Sequence, residues 1–106
     1  MVSASTESDL EQTCRKLAEI HGCLLLKIQG ARGYPDRLLL RPNGTSTFIE
    51  FKRPGSSLRA LQKHVMSLLR SKHFQVEEVD NRELFLSILL DSRHQSGSPR
   101  NIKNEV

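Results

Sequence analysis

The sequence has no tryptophan, one tyrosine, four phenylalanines and two cysteines in 106 residues. So few aromatics exclude a stacking platform for the bases of a single strand. Cys14 and Cys23 are too few for a disulfide framework, and their spacing fits no zinc pattern. No apolar run approaches the ~20 residues that span a bilayer. Met1 to Glu7 lacks the basic start and apolar stretch of a secretory leader. There is no glycine-rich phosphate loop and no Gly-X-Ser-X-Gly elbow. His21, His64, His73 and His94 are scattered along the chain rather than clustered. These absences predict one soluble, cytoplasmic domain with no membrane association and no small-molecule cofactor.

Positive charge is what the chain has, and it is unevenly placed. The formal net charge is +4. Residues 27–72 alone hold ten basic side chains against Asp36 and Glu50, a local net of +8, while the segments on either side are each at −2. A field of that sign suits a polyanion, and nucleic acid is the commonest one. Lys27, Arg32, Arg37, Arg53, Arg59 and Lys63 are the expected phosphate contacts. They would position DNA without reading its sequence.

The apolar pattern predicts the order αβββαβα. Leu10, Cys14, Leu17 and Ala18 follow a helical period, with Ser8 and Glu11 spaced as a capping box and Gly22 as the stop. This gives a first helix over about 7–21. Residues 23–29 read as a buried strand and 36–41 as a second. Pro42-Asn43-Gly44 turns the chain into a third strand over 45–53. Ser56 or Ser57 is the expected cap of a helix over 57–73, followed by a strand over 74–79 and a short helix over 82–91. The fold class is α/β, a mixed sheet flanked by helices. Residues 1–91 form the domain, and 92–106, rich in serine, glycine and asparagine, read as a disordered tail.

The two acids in the basic zone carry the chemistry. Residues two apart on a strand share a face, so Glu50 and Lys52 project together while Ile49 and Phe51 point to the core. Asp36 opens the partner strand and approaches Glu50 across the hairpin. Two carboxylates that close repel unless a cation lies between them. Hard oxygen donors with open water positions suit magnesium, and Lys52 beside it would orient a water for attack on phosphorus. Gln62 lies within the apolar stripe of the second helix, where a buried amide needs partners.

Gly33-Tyr34-Pro35-Asp36-Arg37 followed by Phe48-Ile49-Glu50-Phe51-Lys52-Arg53-Pro54-Gly55 resembles the PD-(D/E)XK nuclease superfamily. Within it the chain is most similar to the stand-alone VRR-Nuc type of phages and bacteria. The resemblance covers about residues 7–80. It implies a restriction-endonuclease-like αβββαβ core, Mg2+-dependent DNA cleavage with Mn2+ as substitute, and a homodimer like the archaeal Holliday junction resolvases. It also implies that Asp36, Glu50 and the Phe51 carbonyl bind the metal and that Lys52 is the catalytic lysine. Glu11 on the first helix, with Glu7 in reserve, would reach the metal through water, and Gln62 would face the site. Tyr34 is bulkier than the residue such proteins carry before the proline, and the loop from Lys27 to Pro35 is short.

The expected function is therefore a metal-dependent endonuclease acting on structured or double-stranded DNA, including four-way junctions. Its alternatives are a catalytically silent DNA-binding module on the same fold and a nuclease acting on RNA.

Overall fold

The helix that opens the structure is set by one apolar stripe. The computed structural model describes residues 7–90. Helix α1 spans Glu7–Ile20 and buries Leu10, Cys14 and Ala18. Gly22, at φ +74°, ends it. The Cys23 amide returns to the Ala18 carbonyl (2.8 Å) and the Gly22 amide to Glu19 (3.0 Å), closing a Schellman motif. Ser8 lies inside the helix, so it is not the cap that the Ser8–Glu11 spacing predicts.

Strands β1 (Leu24–Lys27), β2 (Arg37–Leu40) and β3 (Ser46–Phe51) run antiparallel in sequence order, and β4 (Val76–Val79) joins β3 in parallel. The predicted Pro42-Asn43-Gly44 turn is present. Gly44 sits at φ +89°, and the Asn43 carboxamide accepts from the Thr45 amide. A parallel β3–β4 pair requires a crossover, which helix α2 (Ala60–Ser71) supplies. Helix α3 (Arg82–Leu89) closes the fold, capped by the Asn81 side chain on the Leu84 amide. The element order, mixed sheet and flanking helices agree with the α/β fold expected from the sequence.

The strands alternate, and the two faces of the sheet carry separate cores. Leu39, Ile49, Phe51 and Val79 pack with residues of α1 and α3. Phe48 and Val76, one residue out of phase, pack with Val65, Met66 and Leu69 of α2. Arg41 is buried and ties the hairpin to α3. Its guanidinium donates to the Ile88 carbonyl (3.1 and 3.2 Å), Thr45 Oγ1 and Thr47 Oγ1. One of the ten cations in the basic segment is therefore internal.

Several strand and helix ends fall a few residues inside the expected ranges, and three differences bear on the site. Strand β1 is an edge strand rather than a buried one, with Leu24 59% and Leu26 44% exposed. Helix α2 begins at Ala60 rather than 57, with Arg59 as its cap position instead of Ser56 or Ser57. It ends at Ser71, and His73 takes the left-handed position (φ 71°) beyond it. The stretch 92–106 lies outside the described residues, and among those described no helix is long and apolar enough to cross a membrane.

Two predictions follow from this packing. Gly33, in the β1–β2 loop at φ +78°, lies so close to α2 that a Cβ there would stand 2.6 Å from Leu61 Cγ. Gly33→Ala is expected to cost about 1–3 kcal/mol in urea unfolding; an unchanged midpoint would disprove the close approach. Burial pushes the Cys14 thiol up from 9.0 to about 12, with Arg82 opposing and Glu11 adding to the shift. The neutral thiol is thus favoured in the fold, and its contribution to stability is complete below pH 9 and lost as pH rises toward 12. Cys14→Ala should flatten the alkaline limb of the stability profile, and an unaltered limb would contradict the assignment.

Candidate active site

Strand β3 delivers two of the candidate groups because its alternate residues are anchored. Ile49 and Phe51 are buried on the α1/α3 side, so Glu50 and Lys52 turn to the side covered by α2. Gln62, in the first turn of α2, meets them there. Its Nε2 donates to Glu50 Oε2 (3.1 Å), and its Oε1 accepts from Lys52 Nζ (3.4 Å). The same Oε1 accepts from the Arg59 amide at 2.8 Å, so one side chain both caps α2 and links the acid to the lysine. A carboxamide can do this because it presents a donor and an acceptor at once.

Asp36 stands where Pro35, fully buried, brings the chain into β2. The Ile28 amide donates to the Asp36 carbonyl (2.9 Å), which extends the β1–β2 pairing one step past Lys27–Arg37. Across β2–β3, Arg37 pairs with Ile49. The next step in that register puts Asp36 opposite Glu50, on the same face. Asp36 Oδ1 is buried with no hydrogen-bond partner among the described residues. Such an orphaned acceptor costs about 1–3 kcal/mol. A bare carboxylate oxygen opposite a second, buried carboxylate fits a hard cation, and two carboxylates with the Phe51 carbonyl between Glu50 and Lys52 match the donors magnesium prefers.

Glu11 differs from its expected placement. Its Oε1 is 2.9 Å from Arg37 Nη2, and both side chains are largely buried. Arg37 follows Asp36 in the strand and so faces the other side of the sheet. Among the described residues no group of three or more histidine, cysteine, aspartate or glutamate side chains comes together. The nearest charge partner of Glu11 is thus the Arg37 guanidinium. Nothing is described of the Glu7 side chain.

The expected phosphate contacts divide between two places. Arg53, Arg59 and Lys63 are exposed after β3 and along the start of α2, beside Lys52 and Gln62, and Arg32 is exposed in the β1–β2 loop. Lys27 and Arg37 instead line a cavity with α1, together with Arg15. Arg15 escaped the sequence reading because it lies in the net-negative first segment. Its spacing four residues after Glu11 was the available signal. A cavity of about 420 Å3 between α1 and α3 is lined by Asp9, Asp80 and Glu83 against the single cation Arg82, and its net negative charge disfavours phosphate.

No curated protein matches the chain. A solved structure described as a VRR_NUC domain superposes with a TM-score of 0.70 at 21% identity, over 82% of this chain and 98% of that one. The model of the VRR-NUC domain family matches residues 1–83, and with the site framed by β2, β3 and α2, the chain belongs to that family of nuclease domains.

Proposed function

We propose that the chain is a divalent-metal-dependent endonuclease of the PD-(D/E)XK type that hydrolyses phosphodiester bonds in double-stranded or structured DNA, four-way junctions included. The observation that carries this reading is the bare, buried Asp36 Oδ1 opposite Glu50, beside a lysine held by the Gln62 carboxamide. Asp36, Glu50 and the Phe51 carbonyl would hold Mg2+, or Mn2+ in its place. When bound, the ion supplies Lewis acidity at a phosphate oxygen and makes water more acidic.

The protein's own groups do the rest. Lys52 Nζ donates to the attacking water and offsets negative charge developing on phosphorus. Gln62 fixes Lys52 and Glu50 relative to each other, and its bond to the Arg59 amide anchors both to the start of α2. Arg53, Arg59 and Lys63 engage phosphates flanking the cut, and Arg32 approaches from the loop. Glu11 acts at one remove in this reading, by holding Arg37 next to Asp36.

One chain holds one site, so cutting two strands at once needs a second copy. The surface that supports a homodimer is apolar. Leu24 and Leu26 are 59% and 44% exposed on β1, and Leu38 and Leu40 continue the same face on β2. Leu61 and Leu68, also exposed, lie on the flank of α2 that carries Val65 and meets Gly33. These leucines carry no charge and offer nothing to a polyanion. A two-fold axis would lay leucine on leucine beside the β1 edge, each half-exposed side chain contributing about 1 kcal/mol on burial. The last helix and the fourth strand bury most of their apolar residues internally.

The function is tested with labelled four-way junction, flap, linear duplex and RNA, each with Mg2+, Mn2+ or chelator. Metal-dependent cuts in DNA are expected. Cleavage of RNA alone, or salt-sensitive binding without any cut, would replace the reading by an RNA nuclease or a binding module. Lys52→Ala should lose cleavage by ~100-fold or more while keeping its melting temperature and DNA affinity; normal cleavage by that variant would refute the mechanism. For the dimer, light scattering should give twice the 12.0 kDa chain mass, and Leu26→Arg should halve it. A monomeric wild-type protein would eliminate the paired arrangement.

A further inference from the structure

On the opposite face of the sheet from Asp36 and Glu50, α1 and the β1–β2 edge enclose a cavity of about 280 Å3. Ser8, Gln12, Arg15, Lys27 and Arg37 line it with a single carboxylate, Glu11. Lys27 and Arg37 are direct cross-strand partners, and like charges placed opposite one another in a sheet are destabilising. Glu11 offsets only Arg37, at 2.9 Å. Arg15 and Lys27 make no ion pair among the described residues. Three cations thus meet one acid in a recess that the fold gives no internal reason to charge so heavily.

We propose that this cavity is a second phosphate-binding site, taking one phosphate group of the nucleic-acid substrate on the far side of the sheet from the cut. The ligand class follows from the chemistry. Two guanidiniums and an ammonium match the oxygens of a tetrahedral anion, and Gln12 and Ser8 add neutral donors. The recess suits a single phosphate rather than a base, since it carries no aromatic side chain to stack on. Glu11 holds the Arg37 guanidinium in place for the anion without cancelling the total charge. Asp36 and Arg37 are adjacent in the chain and point to opposite faces. A strand engaged at both places therefore passes round the end of the sheet formed by the β1–β2 loop, where Arg32 is exposed.

The inference rests on the reading of the chain as a nuclease, and the test separates the two. Arg15→Gln and Lys27→Gln are made singly and together, leaving the Arg37–Glu11 pair intact. In chelator, duplex binding by the double variant should weaken about tenfold, and its salt slope should fall by about one unit, as for one lost phosphate contact. Lys27→Gln should melt at or above the wild-type temperature, because it relieves the like-charge pair; a purely structural lysine would lower it. Titration of the metal-free protein with inorganic phosphate should shift the amide resonances of Gln12, Lys27 and Arg37. Duplexes with 5′-phosphate and 5′-hydroxyl ends distinguish the source. Equal losses assign the site to an internal phosphodiester, and a loss confined to the phosphorylated duplex assigns it to a terminal phosphate. An unchanged salt slope with no phosphate-induced shifts would overturn the proposal even if metal-dependent cleavage is intact. Phosphate shifts at the cavity without cleavage of any nucleic acid would instead uphold the site and defeat the nuclease reading.

Discussion

Everything around the candidate site depends on the two-residue period of β3. Ile49 and Phe51 are locked into the core beneath α1 and α3, with Phe51 also packed against Phe85 at a ring separation of 5.9 Å. Their burial removes any choice about where Glu50 and Lys52 point. A slip of one residue would exchange two apolar anchors for two charged groups in the core, so the register is specified by a large energy gap. The catalytic proposal inherits that rigidity: an acid and a lysine side by side are held there by the hydrophobic contacts of their neighbours.

Much of this was legible in the sequence, for local reasons. The α1 stripe, the glycine stop, the Pro42-Asn43-Gly44 turn and the alternation through Glu50 and Lys52 are all encoded within a few residues. The pairing of Gln62 with Glu50 was foreshadowed by a carboxamide among leucines, since a polar group there must find partners. What failed was decided by residues distant in the chain. Ser56 and Ser57 have good capping chemistry, yet the helix starts later because Gln62 itself satisfies the Arg59 amide. Strand β1 looked like a central strand because its run of leucines is continuous. Whether both its faces are covered depends on α2, which lies over β3 and β4 instead. The pairing of Glu11 with Arg37 likewise joins residues 26 apart, which spacing on one helix does not reveal.

The separation of charge is as instructive as its total. Arg41 is withdrawn into the interior, Arg37 is held by Glu11, and the acids Asp9, Asp80 and Glu83 are gathered at the junction of α1 and α3. Arg32, Arg53, Arg59 and Lys63 stay in contact with water around the β1–β2 loop, the end of β3 and the start of α2, and Arg15 and Lys27 line the recess beneath α1, whereas the exposed Arg82 sits among the acids where α1 meets α3. A polyanion approaching this molecule therefore meets a favourable potential around the loop end of the sheet and an unfavourable one where α1 meets α3.

Arg41 adds a constraint in time. Two of the hydrogen bonds that satisfy its buried guanidinium go to the Ile88 carbonyl, 47 residues further on. During synthesis, every group assigned to the chemistry, from Asp36 to Gln62, leaves the ribosome well before that carbonyl does. Until α3 arrives, the Arg41 guanidinium has the hairpin's own Thr45 and Thr47 hydroxyls to donate to but not the Ile88 carbonyl, and the core beneath the sheet lacks Phe85, Ile88 and Leu89. The last helix thus completes the core beneath the sheet, and the strands that carry Asp36, Glu50 and Lys52 gain their full packing support only once it has docked.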